Sequence, residues 1–139
     1  MRLTEHFSLE EFVCSATADS NKIDNTPTAE AAINLYKLVM CVLEPARCAF
    51  GHPIRVTSGY RCKALNRKVG SKDTSQHILG MAADLQVSPK DKLRELYNIL
   101  KQGEFDQLLF EHNLAGTTWI HVSYNEGNNR HKAIDDFKA

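Results

Sequence analysis

Residues 75–84 read Ser75-Gln76-His77-Ile78-Leu79-Gly80-Met81-Ala82-Ala83-Asp84. A histidine precedes a glycine turn, and an aspartate follows on an apolar run that reads as a strand to Val87. Asp84 stands among alanines and a leucine, where an unpaired carboxylate is costly to bury, so it calls for a cation or for donors. Further along, Trp119-Ile120-His121-Val122-Ser123 places a second histidine in the middle of an apolar strand. Imidazole nitrogen and carboxylate oxygen are good ligands for Zn2+. Two histidines and one carboxylate make a catalytic set that leaves a fourth position for water, which the metal acidifies while it polarises a carbonyl. The residues alone leave plainer alternatives open. A lone strand histidine is more often a hydrogen-bonded core residue, and an arginine such as Arg61 could neutralise Asp84.

Working outward, the chain alternates helical and strand patterns. Ser8-Leu9-Glu10-Glu11 has the form of a capping box opening a short helix through Val13. Residues 14–25 are polar and turn-rich. Thr26 and Pro27 suit an N-cap and first helical position. Ile33, Leu35, Leu38, Val39, Val42 and Leu43 then follow at largely helical spacing to about Cys48–Phe50, with Pro45 placed to kink or break the last turn. The pattern predicts strands over 54–58, 82–87, 106–111 and 118–124, with Gly116 in the turn of a hairpin formed by the last two. It predicts a short helix over 61–69 and another opened by Ser88-Pro89 that carries Leu93, Leu96, Tyr97 and Leu100 on one face. Residues from about 125 read as a polar, loosely packed tail. The result is one α+β domain over 1–139, a small antiparallel sheet flanked by helices.

The 139 residues suffice for one core without disulfide staples. The hydrophobic share of 42% and charged share of 24% are those of a globular protein. Seventeen basic residues balance seventeen acidic ones; without a basic excess a general nucleic-acid binder is not expected. Cys14, Cys41, Cys48 and Cys62 form no C-x-x-C pair, so four reduced thiols are expected. Cys41 and Cys48 lie seven apart, a spacing that suits core-facing positions. The N-terminus has no apolar signal-peptide core and no run is long enough to span a bilayer. The reading is a cytoplasmic product, expected to be a monomer, that must be released if its substrate lies outside the cell.

The string S-x-H-x-x-G-x-A-x-D at 75–84, followed by W-x-H at Trp119–His121, resembles the zinc D-alanyl-D-alanine carboxypeptidases. That family includes the vancomycin-resistance D,D-dipeptidases and phage L-alanyl-D-glutamate endolysins. Ser58-Gly59-Tyr60-Arg61 and Leu65-Asn66 with the glycine turn after it are similar to the family's pattern. Phe7-Ser8-Leu9-Glu10-Glu11-Phe12 and the Asn25-Thr26-Pro27 segment resemble its compact phage and prophage members. The resemblance covers most of 7–124. It implies a Hedgehog/DD-peptidase-like zinc fold with His77, Asp84 and His121 as Zn2+ ligands. It also implies Arg61 as the group that stabilises the substrate oxyanion, Ser75 as a substrate contact, and peptidoglycan peptides as partners. The residues themselves leave Ser75 a plainer role, capping the turn before His77.

Many members of that family carry an acidic general base three residues before the last histidine. Here that position is Thr118. The nearest replacement is Glu111, at the end of a strand expected to pair with that of His121; His112 should face the other way. The implied function is hydrolysis of a peptide bond next to a D-amino acid in peptidoglycan. A non-catalytic zinc module that binds a wall peptide or a protein partner is the alternative, with Thr118 in its favour. A non-haem iron site ranks last, because such sites usually place histidine and aspartate two apart rather than seven.

Overall fold

The computed structural model describes residues 1–136. Helix α1 (Glu10–Val13) opens with Ser8, whose backbone N–H donates to Glu11 Oε2 at 2.7 Å, one half of the expected capping box. The turn-rich segment after it contains a helix that the pattern does not predict, α2 (Ala16–Ser20), capped by Ser15 Oγ, which accepts from Ala18 N–H. The long helix begins later than Thr26-Pro27 suggests. Thr28 is its N-cap, accepting from Ala31 N–H at 3.1 Å, a contact worth about 1 kcal/mol. Thr26 is instead held by Asp24, which accepts from both its N–H and its hydroxyl.

Helix α3 (Ala29–Leu38) runs into a π-helical turn, Val39–Leu43, and then α4 (Glu44–Phe50), which ends at Gly51 in the left-handed conformation. Pro45 therefore does not end the helix, which continues to Phe50. The widened turn, in which Glu44 N–H reaches back to Val39 O, absorbs the proline ring that would otherwise press on the preceding turn. The extra residue also rotates everything beyond it by about 100°. Cys41 still packs on the core while Cys48 comes to the exposed side, which corrects the expectation that both face inward. The buried stripe of α3 is Ala31, Leu35 and Leu38, continued by Val39, Val42 and Leu43; Ile33 is exposed.

Strand β1 (Arg55–Ser58), helix α5 (Lys63–Lys68), a 3₁₀ turn (Gln76–Leu79) and β2 (Ala82–Gln86) follow. A second 3₁₀ turn (Lys90–Lys92) after a cis Ser88–Pro89 bond leads into α6 (Leu93–Lys101), with Leu93, Leu96, Tyr97 and Leu100 buried as their spacing predicts. Strands β3 (Gln107–His112) and β4 (Thr118–Ser123) form the expected hairpin, with Gly116 at φ 86° in its turn. The chain also forms β5 (Lys132–Asp135) within the segment read as a loose tail. It pairs parallel to β3, which makes the five-stranded sheet, in the order β1-β2-β4-β3-β5, mixed rather than purely antiparallel. Arg130 anchors it through a bidentate ion pair with the fully buried Asp106, both bonds at 2.9 Å.

One sheet face carries Ala83, Leu85, Leu108, Phe110, Ile120 and Val122, all buried against α3, α4 and α6. The alternating residues, Asp84, Leu109, Glu111, Trp119 and His121, share the other face. The first 3₁₀ turn packs against β2 and α3, and α5 packs on that turn. Among the described residues no helix is long and apolar enough to cross a membrane, and all four cysteines are free thiols.

Candidate metal centre

Local sterics explain the 75–84 string. Ser75 Oγ accepts from His77 N–H at 3.2 Å and starts the 3₁₀ turn; Gly80 ends it at φ 73°. A β-carbon at Gly80 would lie 2.3 Å from the Ala31 carbonyl oxygen, so the glycine serves both the left-handed turn and the close approach to α3. Beyond it the chain enters β2, where Ala82 and Ala83 are wholly buried and Asp84 points to the opposite face from Ala83.

Asp84 is directly paired with His121 of β4 on one side and Ser58 of β1 on the other. Its Oδ1 lies 2.9 Å from His121 Nδ1 and 3.5 Å from His77 Nε2. The two imidazole rings meet edge to face with centroids 5.2 Å apart. The three ligand atoms fall within 4.8 Å of one another. The edge of a tetrahedral zinc site is roughly 3.3 Å for ligand bonds of about 2.0 Å, so this set fits the ion with small adjustments. His77 is further oriented: its Nδ1 lies 2.6 Å from the Gly59 carbonyl, which can only accept, so Nδ1 carries the proton and Nε2 presents its lone pair to the cluster. Burial by itself would raise the Asp84 carboxyl, but the His121 hydrogen bond and the facing His77 ring outweigh it and hold the group well below the usual carboxylate range.

Arg61 follows the same loop. Its backbone N–H donates to His77 O at 3.1 Å, and Asn25 ties the loop down by accepting from Cys62 N–H and donating to the Val13 and Tyr60 carbonyls. The Arg61 guanidinium has no ion pair among the described residues, and its Nε is buried without a partner. Burial pushes it below its ordinary value while the Asp84 charge pulls it back up. The bland alternative of a surface ion pair is thus not what the side chain does.

Glu111 lies on the His121 face, opposite Trp119 and one diagonal step from His121, within reach of a long side chain. It is half-buried, and its carboxylate makes no hydrogen bond among the described residues. His112 falls on the other face, as alternation requires, and so does Thr118, because β3 and β4 pair without a bulge from Leu108–Val122 to His112–Thr118.

Two clefts are lined by residues next to this cluster. One of about 550 Å³ is lined by Ser75, Gln76, Gln107, His121, Lys72 and Arg130. The other, of about 640 Å³, runs along β1 and includes Ser58 and Arg61. Ser75 therefore does cap the turn and also faces the first cleft. Gln76, Gln107, Arg130 and the Gly59 carbonyl escape sequence reasoning. Gly59 lies inside a motif that is visible, but a carbonyl's direction leaves no trace in residue type.

The sequence model of the family described as Peptidase M15 matches residues 5–123. The chain belongs to the peptidase M15 family. Among curated proteins nothing matches it. M15 peptidases are zinc-dependent, and the donor set of His77, Asp84 and His121 in this M15 peptidase is one that zinc accepts. The match ends at Ser123, so β5 and its Arg130 anchor lie beyond it.

Proposed function

We propose that this M15 peptidase hydrolyses a peptide bond next to a D-amino acid in peptidoglycan stem peptides, with His77, Asp84 and His121 holding Zn2+. The observation that carries the reading is the convergence of His77 Nε2, His121 Nδ1 and Asp84 Oδ1 beside an unpartnered arginine. Zinc bound there would acidify a water and polarise the scissile carbonyl. The chain's own groups supply the rest. Gly59 holds the His77 tautomer. Arg61, with donors free on its guanidinium, stabilises the oxygen of the substrate carbonyl as negative charge develops on it. Glu111, on the His121 face with no competing partner, accepts the proton from the attacking water and returns it to the leaving amine. Ser75, Gln76 and Gln107 offer polar contacts to peptide groups along the smaller cleft.

The test is mass spectrometry of defined muropeptides incubated with the zinc-loaded protein. Loss of a terminal D-alanine marks a D,D-carboxypeptidase, and an internal cut marks an endopeptidase. A protein that binds zinc and muropeptide but cleaves neither is the non-catalytic module, the reading that Thr118 favours.

A further inference from the structure

A second cluster of metal-ligating groups lies far from this chemistry in the fold. Glu44 and Cys48 are four apart on α4, on the helical side of the sheet, and His6 reaches them from the segment before α1. His6 N–H donates to Glu44 Oε1 at 2.8 Å, which leaves Oε2 to be shared. That oxygen is faced by His6 Nδ1 at 2.5 Å and by Cys48 Sγ at 3.4 Å. The arrangement repeats the one at the first site, where a single carboxylate oxygen, Asp84 Oδ1, is faced by two ligand nitrogens. In both places one histidine Nδ1 hydrogen-bonds the shared carboxylate oxygen, His121 to Asp84 and His6 to Glu44, where a cation could take the place of the proton.

We propose that His6 Nδ1, Glu44 Oε2 and Cys48 Sγ form a second zinc site that staples the N-terminal segment to α4. The donors are one imidazole nitrogen, one carboxylate oxygen and one sulfur, a borderline-to-soft set that suits zinc over magnesium or calcium. The three atoms already lie within 4.8 Å of one another. The sulfur–oxygen separation of 3.4 Å matches a tetrahedral edge, and the nitrogen–oxygen contact of 2.5 Å opens by somewhat under about 1 Å when a metal replaces the proton between them. Cys48 is exposed and His6 and Glu44 are half-buried, so the ion has a path in and solvent can supply a fourth ligand. Binding through His6 Nδ1 leaves the imidazole proton on Nε2, converts the Cys48 thiol to thiolate and releases the thiol proton to solvent. The site would tie together residues 38 apart in sequence and raise stability by mass action. It explains why Cys48 faces outward after the π turn, beside a glutamate and a histidine.

Cobalt titration tests this independently of the first site, because Co2+ held by nitrogen and oxygen alone gives no thiolate-to-metal charge-transfer band in the near ultraviolet. The wild-type protein is expected to bind two equivalents and to show that band. Asp84→Ala should keep the band and one equivalent. Cys48→Ala and His6→Gln should each lose the band, keep one equivalent and retain peptidase activity. Zinc should raise the melting temperature of Asp84→Ala but not of Asp84→Ala combined with Cys48→Ala. A wild-type protein that takes one equivalent without the band, or a band that survives in Cys48→Ala, overturns the proposal. Failure of the first site would instead show as an Asp84→Ala protein with the same stoichiometry as wild type.

Discussion

The imidazole Nδ1 of His77 lies 2.6 Å from the carbonyl oxygen of Gly59, eighteen residues earlier. That contact selects which histidine nitrogen can meet a metal, and a glycine is what allows it. A β-carbon on Gly59 would fall 2.5 Å from the Phe12 carbonyl oxygen, a backbone atom that cannot swing aside. Gly59→Ala should therefore displace the loop and weaken zinc binding by about 10–100-fold, the usual scale for losing an outer partner of a histidine ligand. Competition with a chelator measures it. Wild-type affinity in Gly59→Ala would sink the argument.

Asp84 sits between two histidines and between two strands. In a Cys48→Ala background, where only the first site remains, replacing Asp84 by alanine should take zinc from about one per chain to none under dialysis. Elemental analysis after dialysis reads the result. Full retention would remove these residues as the metal centre.

Glu111 and Thr118 differ in which sheet face they occupy. Glu111→Gln should bind zinc normally and lose turnover on a verified muropeptide by about 10² or more. Placing an acid at the position three before His121, as Thr118→Glu in that background, should not restore activity, because unbroken strand alternation points residue 118 away from the ligands. Wild-type turnover in Glu111→Gln would dismiss the base, and recovery by Thr118→Glu would mean that β4 carries a bulge in solution.

Arg61 has a guanidinium donor, Nε, buried without a partner among the described residues. Arg61→Met should keep its zinc and its fold while kcat falls by about 10²–10³, the scale for one oxyanion donor. A drop confined to KM would make Arg61 a binding group instead.

Asp106 is buried and ion-paired to Arg130, whose hydrogen bonds hold its carboxyl well below the usual range against the opposing effect of burial. The folded pKa is depressed, so the stabilisation is fully present above the unfolded value near 4 and is lost as pH falls toward the folded one. Asp106→Asn should cost on the order of 2 kcal/mol at neutral pH and flatten the acid limb below about pH 4. Equal denaturant midpoints for mutant and wild type at pH 7 would refute the anchor.

Much of this protein was decided by local rules that a sequence carries openly. Alternation in 118–124 put His121 on the side of its strand away from Val122 and Ile120, and alternation in 106–111 put Glu111 on the side away from Phe110. Steric demands read the turn at Gly80. The stripe Leu93, Leu96, Tyr97 and Leu100 buried itself as its spacing required. These are properties of neighbours within a few residues, where backbone geometry leaves few choices. Tertiary structure alone decided the rest. The π turn ahead of Pro45 rotated Cys48 outward, toward His6. The tail formed β5 because Arg130 found Asp106, 24 residues away. Among the described residues Arg61 was left without an ion pair, and the Gly59 carbonyl turned to His77. Each depends on which distant groups the packing brings within hydrogen-bond range, and residue type along the chain holds no record of that direction.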